Sequence, residues 1–417
     1  MDFRKRLLEL RDFLKPYQRM WQNEIMLMYP DPCQDYPKKW IEDLVRFQDK
    51  STALRLERKD VFPFIENPDL RSFYLKLEEL TQLPKSPSYP PMPEDHWTWL
   101  NTIPKKQHEI RKLAPHIHAL YEKHQPEALL DIGGGVGLLA QSLNNHYGHK
   151  VISVDMNTEF QKIGEVRQKK NSRHPGNPVT YLNFKVSEDS PFSKLFEHKL
   201  LPVGLHTCGK LALDMIKISA SKKVPALINF GCCYHTLDEN SDLQNLSAFA
   251  RHNDPLFLNK FALTLACRAH KKMSEKDYDF KILVKRYRYA IHILLHDSYG
   301  IPDMLGLGNS QAKLYASPFS DYAREQFKRI DLPLRHSDEE LNQFFNDPNL
   351  QLLIKEMLAG GLIRNALGRA LELYLLLDRA IYLDEQGYEV MVSEFFDEEI
   401  SPRNIGLSAQ LKSPFIY

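Results

Sequence analysis

Two short stretches of this chain concentrate residues that can do chemistry. The first is the run Asp131, Ile132, Gly133, Gly134, Gly135, Val136, Gly137: glycine is scarce here, 18 residues in 417, yet four of them fall in this loop. Glycine has no Cβ, so the backbone of such a loop can approach a ligand closely. The apolar run ALLDI precedes it and a helical pattern begins near Gly137, which is the strand, turn and helix order of a nucleotide-type cofactor site. The second stretch is a pair of motifs, LHTCG at 205–209 and GCCYH at 231–235. They place His206, Cys208, Cys232, Cys233 and His235 at the ends of two predicted strands. Imidazoles exchange protons near neutral pH, and thiolates are nucleophiles and metal ligands.

The loop spacing selects its ligand. Gly133, Gly135 and Gly137 make G-x-G-x-G, whereas a dinucleotide fingerprint needs its third glycine where Leu138 stands. Asp131 suits a cationic, amine-bearing ligand better than a pyrophosphate, which an extra carboxylate at a helix N-terminus repels. S-adenosylmethionine is such a ligand. Asp155 closes the next predicted strand, VISVD, at the spacing of about twenty residues where a carboxylate accepts from ribose hydroxyls. Glu188 or Asp189, past a third strand, accepts from an adenine amino group or caps a loop. Lys105 or Lys106 pairs with the cofactor's carboxylate or starts a solvated helix.

For the second cluster, the candidate catalytic residues are His206, Cys208 and His235. Cys232, Cys233 and Tyr234 are candidate substrate contacts, joined by Arg403 and Asn404 from a turn near the C-terminus. Transfer of a methyl group from a sulfonium is an in-line displacement, which needs an aligned acceptor and a route for its proton. The histidines supply that route or simply bond loop backbone. Adjacent Cys232 and Cys233 lack the C-x₂₋₄-C spacing of zinc sites, so no metal ligand is assigned. A covalent cysteine route needs a thiolate and a positioned acid; small cysteines packed beside the cofactor are the alternative. The Asp/Asn-Pro-Pro-aromatic motif of amino-group methylases is absent after the fourth strand.

The elements that position these groups follow from periodicity. Apolar residues recur at helical spacing through the first 83 or so residues, as in Leu7, Leu10 and Leu14, and predict three or four helices. Prolines crowded between 84 and 93 end that pattern. Strand-like runs then alternate with helical ones: a helix over 105–124, ALLDI, VISVD, YLNFKV at 181–186, LLPVGLHT at 200–207 and ALINFGC at 226–232. That rhythm argues a parallel sheet covered by helices. A long helical stretch follows, and two β-prone runs flanking Ser401, Pro402, Arg403 and Asn404 predict a closing antiparallel hairpin. The expected division is an N-terminal helical domain with its proline linker over 1–95, an α/β core over 96–300, a helical insertion over 301–385 and a closing hairpin over 386–417.

These motifs carry a resemblance. DIGGGVG followed by VISVD resembles the first two motifs of class I S-adenosylmethionine-dependent methyltransferases. More narrowly, IPKKQHE at 103–109, LHTCG, GCCYH, LLDRAIYLDEQG at 376–387 and SPRN at 401–404 resemble the methyltransferase-like twenty-five family over most of the chain. The resemblance implies a Rossmann-like seven-stranded sheet whose last strand is antiparallel. LHTCG and GCCYH are also similar to the Cys-Gly and Cys-Cys-His-His motifs of eukaryotic tRNA acceptor-stem ribose 2′-O-methyltransferases. Tyr234 stands where the first of those histidines falls, so that activity does not carry over whole.

Composition narrows the partners. Lys and Arg number 55 against 54 Asp and Glu, so no global field advertises a polyanion and any nucleic-acid surface must be local. One candidate is the stretch from Arg268 to Arg288, where Lys271, Lys272, Lys276, Lys281, Lys285 and Arg286 alternate with Tyr278, Phe280 and Tyr287. Basic residues with interleaved aromatics suit phosphate contact and base stacking, and a solvated helix face has the same composition. Five cysteines in 417 residues are no secreted disulfide framework, and no apolar run reaches the length of a membrane span. The expectation is a cytoplasmic methyltransferase acting on a macromolecule, RNA (tRNA or rRNA) before protein, with a non-catalytic cofactor-binding scaffold as the third reading.

Overall fold

The computed structural model describes residues 1–46, 54, 65–92, 99, 102–174, 176–187, 194–196, 198–237, 244–268, 273–303, 305, 307–308 and 310–412. Seven strands form one sheet in the order β3-β2-β1-β4-β5-β7-β6. They are β1 (Ala128–Ile132), β2 (Val151–Asp155), β3 (Thr180–Asn183), β4 (Leu200–Cys208), β5 (Ala226–Cys232), β6 (Tyr388–Glu394) and β7 (Ile405–Leu411). The first five are parallel, and β7 runs antiparallel to both β5 and β6. Every residue of β1 and of β5 is buried, which is why both read as unbroken apolar runs without alternation. The expected class I methyltransferase topology is present, closing hairpin included. β3 is shorter than its sequence run, ending at Asn183.

The chain makes two compact units. One comprises Met1–Lys15, Leu80–Lys271 and Arg369–Tyr417 and contains the whole sheet; the other comprises Pro16–Glu79 and Lys272–Gly368. In the sheet unit, α1 (Phe3–Leu14) buries Leu7, Leu10 and Leu14 and is capped by Asp2, which accepts from the Lys5 N–H at 3.0 Å. α2 (Pro104–His124) starts on a proline, whose missing N–H costs nothing at a first turn. Its Ile110, Leu113 and Ile117 join Leu201, Val203, Ile228 and Phe230 of β4 and β5 in the core. α3 (Leu138–Tyr147), α4 (Thr158–Asn171) and α5 (Lys210–Ser221) follow β1, β2 and β4 respectively. α6 (Pro348–Glu385) is a single helix of 38 residues. No helix among the described residues is long and apolar enough to cross a membrane.

The second unit is helical, with segments Lys38–Arg46, Pro68–Thr81, Glu275–Tyr299, Phe319–Arg329 and Asp338–Asn346 besides the first half of α6. Among the described residues before the prolines, α-helices run over Phe3–Leu14, Gln18–Gln22, Lys38–Arg46 and Pro68–Thr81, within the three or four expected. The proline-rich stretch is non-helical through Met92; Lys85 there bridges to Glu394 of β6.

The last part of α6 supports the sheet unit with buried charge. Asp378 Oδ2 accepts from the Leu246 N–H at 2.6 Å, while Oδ1 accepts from the Ser247 N–H at 2.9 Å and its hydroxyl at 2.7 Å. Arg369 donates to Asn404 Oδ1 at 2.7 Å, to Glu372 at 2.9 Å and to Glu394 at 3.2 Å, tying the helix to both sides of the turn that joins β6 and β7. Asp378→Ala leaves three buried donors unpaired and is expected to cost about 2–4 kcal/mol in urea unfolding. Asp384→Ala, which removes partially exposed pairs with Arg4 and Lys412, is expected to cost under about 1 kcal/mol. Equal losses would refute the bracing role of Asp378.

Candidate active site

Strand order reverses at β1 and β4, and in open parallel sheets ligands bind outside the carboxyl ends of the strands at that point. The glycine loop leaves β1 there. Gly133, Gly135 and Gly137 have φ of 69°, 58° and 70°. At Gly135 nothing lies within 4 Å of where a Cβ would stand, so this turn presents bare backbone to open space. Its N–H donates to Asp155 Oδ2 at 2.9 Å, and the Asn157 N–H donates to Asp155 Oδ1 at 2.8 Å. Each carboxylate oxygen keeps a free lone pair for a hydroxyl donor. Beneath the loop, Asp131 is buried and its Oδ2 has no hydrogen-bond partner; Ser153 Oγ is in the same condition. Burial pushes the Asp131 carboxyl up to about 7, against the pull of Lys106 and the Ala140 N–H.

One strand over, β4 is irregular at its tip. Its register against β5 slips between Leu205 and Thr207, and the intervening His206 has φ 67°, in the left-handed region. Such a bulge re-aims a side chain. His206 Nε2 lies 2.8 Å from Oε1 of Glu109, a buried residue of α2. Ser401, in the hairpin turn, donates to the same oxygen at 2.6 Å, and Lys106 and Lys105 stand 3.3 and 3.6 Å from the carboxylate. Burial pushes the Glu109 carboxyl up, but hydrogen bonds from His206 and Ser401 together with Lys106 outweigh it and hold it at about 2. An ionised carboxylate only accepts, so Nε2 of His206 carries the proton and Nδ1 of the neutral ring is the acceptor.

The cysteines meet at the next strand end. Cys208 pairs in register with Cys232, and their Sγ atoms are 3.5 Å apart; Cys208 Sγ is 3.2 Å from that of Cys233. The neighbouring thiols of Cys232 and Cys233, with the charge of Arg403, hold the exposed Cys208 thiol below the ordinary thiol range, while the buried Cys232 thiol is pushed up. Arg403 reaches Cys233 Sγ at 3.6 Å and the Cys267 carbonyl at 3.3 Å. A Cβ on Gly209 would strike the Thr236 side chain, which explains the glycine of LHTCG: the loops after β4 and β5 touch there.

Residues 105–240, which hold the loop, His206 and the cysteine triplet, match a family described as a methyltransferase domain. The chain carries a methyltransferase domain. It is 28% identical over 266 residues to the probable methyltransferase-like protein 25 of Mus musculus, a match covering 59% of this chain and 44% of that protein. The human protein of that name is 25% identical over 267 residues, covering 59% and 43%. The chain thus matches less than half the length of these curated relatives, and the expected resemblance to the methyltransferase-like twenty-five proteins is found at modest identity. No solved structure matches.

Within the methyltransferase domain and its flanks, several residues sit elsewhere than their sequence suggested. Tyr234 is 1% exposed, donates to the Gly231 carbonyl at 3.2 Å and lies under the Arg379 guanidinium, so it packs the wall behind the cysteines instead of facing a substrate. Asn404 is equally buried on Arg369. Lys105 is engaged with Glu109. His235 is exposed and its Nδ1 faces Cys267 Sγ at 3.4 Å, bringing in a cysteine that stands alone in sequence. Glu188 and Asp189 lie outside the described residues, as do Lys271 and Lys272. In the other unit, Tyr278 and Tyr287 are buried and Arg286 bonds Gln351, whereas Lys276 and Phe280 are exposed and Lys281, Lys285 and Arg288 are half-buried.

Two site residues escaped the sequence reading. Glu109 sits inside IPKKQHE, four residues after Lys105, and Ser401 opens SPRN. Nothing in their spacing announces that they converge on His206.

The methyltransferase domain implies S-adenosylmethionine, and the residues present fit it. Gly135 leaves a cradle that a side chain would fill, Asp155 has acceptor capacity, and Asp131 offers a buried oxygen lacking a donor, the complement of a cationic amine. Because the free Asp131 carboxyl titrates at about 7 and a cationic ligand favours its ionised form, affinity for S-adenosylmethionine is expected to rise from about pH 6 to about pH 7.5 and then level, by at most about tenfold per unit. Calorimetry in buffers of different ionisation enthalpy should register proton release on binding. The linkage runs the other way for the free protein: a carboxyl raised by folding loses stability as pH climbs through about 7, so Asp131→Asn should melt higher than wild type at pH 8 while binding cofactor more weakly. A flat affinity profile with unaltered binding by Asp131→Asn would refute this assignment.

Proposed function

We propose that this chain is an S-adenosylmethionine-dependent methyltransferase that modifies RNA, with tRNA or rRNA as the substrate class. The observation that supports it best is the Glu109 and His206 pair at the carboxyl end of β4, the strand beside the one that launches the cofactor loop. S-adenosylmethionine, when bound, supplies an electrophilic methyl group. The loop from Gly133 to Gly137, Asp131 and Asp155 hold it. His206 Nδ1, the ring nitrogen not bonded to Glu109, would accept the proton of an incoming hydroxyl or amine, and Glu109 would fix the ring and stabilise the imidazolium that forms. Ser401 and Lys106 keep that carboxylate ionised and oriented. The RNA assignment draws support from the likeness of LHTCG and GCCYH to the motifs of tRNA ribose methyltransferases.

Incubation of the purified chain and labelled S-adenosylmethionine with RNA and protein fractions from cells lacking it tests the reading. Label is expected in material that resists proteinase and is destroyed by ribonuclease. Label removed by proteinase would replace the RNA assignment with a protein substrate, and cofactor binding without transfer to either fraction would leave a binding scaffold. Gly135→Arg, which fills the cradle, should abolish cofactor binding. His206→Ala should lower turnover by about 10²–10³ with cofactor affinity within about threefold of wild type. Glu109→Gln should fall between the two. Full turnover by His206→Ala would remove the histidine from the mechanism.

A further inference from the structure

Adjacent cysteines at the end of a strand normally point to opposite faces, because successive side chains alternate. Here they do not. Cys232 is the last residue of β5, and Cys233 leaves the strand at φ 53° and ψ 44°, a left-handed conformation uncommon for a residue with a Cβ. That turn brings the Cys233 sulfur back to the side where Cys208 and Cys232 already stand as cross-strand neighbours. All three Sγ atoms lie within 4.8 Å of one another, with Cys208 on the exposed side and Cys232 buried. Backbone strain of this sort persists only where the surroundings over-determine it.

We infer that Cys208, Cys232 and Cys233 form a three-thiolate site for a thiophilic divalent ion, zinc above all, whose fourth position opens on the active-site crevice. Thiolates bound at about 2.3 Å to a tetrahedral ion stand about 3.8 Å apart. The observed separations of 3.2 and 3.5 Å need only small rotations to reach that. Charge closes as well. Three thiolates carry three negative charges, a divalent ion returns two, and the Arg403 guanidinium, 3.6 Å from Cys233 Sγ, supplies the third. A half-buried set that sums to zero avoids the desolvation cost of an uncompensated charge. The spacing rule that argues against zinc from sequence assumes both cysteines sit on a regular turn, and the left-handed residue 233 removes that premise. Three protein ligands with an open fourth place is the pattern of zinc sites that handle a substrate, whereas structural sites are closed by four.

The test is metal content, read without methyl transfer, so its outcome is separate from that of the proposed activity. Full-length protein purified without chelator is expected to hold about one zinc per chain by plasma mass spectrometry. The metal-free, reduced chain should take up one equivalent of Co²⁺ with thiolate-to-cobalt charge-transfer absorption. Cys208→Ser and Cys233→Ser should lose both signals, while Cys33→Ser, a cysteine of the other unit, should keep them. If the variants fail to fold, alkylation decides on the wild type: zinc should shield Cys208 from iodoacetamide by at least about tenfold, reversed by chelator. A zinc-free chain that binds no cobalt after reduction, equal alkylation with and without zinc, or a Cys208 to Cys233 disulfide in the native protein would each overturn the inference.

Discussion

Much of the site depends on one buried carboxylate. Glu109 comes from the first turns of α2, yet it receives His206 from β4 and Ser401 from the hairpin turn, and it is flanked by Lys106 from its own helix. An ionised carboxylate in this position is expensive to desolvate and survives only because donors converge on it. Those donors come from three separate stretches of chain, so the interaction fixes how α2, the β4 tip and the closing hairpin meet. It also sets the tautomer of His206, which decides which ring nitrogen can accept a proton. A neutral residue at 109 would leave the bulged histidine without the partner that holds its strained backbone in place.

That strain recurs on the neighbouring strand. His206 and Cys233 both adopt left-handed conformations at strand ends, at φ 67° and 53°. Each strained residue aims a reactive side chain away from the direction a regular strand would give it. Gly209 and Thr236 lock the two strand-end loops against each other, which leaves little room for either to relax. Rigid strands that end in irregular residues give precise placement without a mobile loop.

Most of the fold was legible because its signals are local. The glycine run, the buried strands β1 and β5 and the hairpin near 401 each follow from a few consecutive residues whose burial or turn chemistry is dictated nearby. The candidate cofactor residues Asp131, Gly135 and Asp155 are spaced by the βαβ unit itself, and the Gly135 N–H bonds Asp155. What the sequence hides is side-chain direction. Tyr234 and Asn404 sit in the right motifs but face the core, because Arg379 and Arg369 from the distant helix α6 claim them. Tyr287 is likewise spaced as a basic helix face would be but packs on Tyr315, Phe319, Tyr322 and Phe345 of its own unit. Glu109 was missed for the converse reason: a carboxylate beside two lysines reads as a solvated helix start unless the partner strand is known.

The matched methyltransferase segment ends at residue 240, but the site does not. Ser401 completes the donors to Glu109, Arg403 supplies the cation beside the cysteine cluster, and Cys267 faces His235. All three lie beyond that segment. Ser401 and Arg403 arrive only because β7 returns antiparallel to β5, and that return is held by Arg369 on Asn404 and Glu394. The glycine loop is therefore a property of the βαβ core, while the surroundings of Glu109 and of the cysteine cluster, proposed to meet the acceptor, are completed by the C-terminal hairpin and the helix preceding it. Acceptor specificity in this chain should accordingly track changes in 369–404 more closely than changes in the glycine loop.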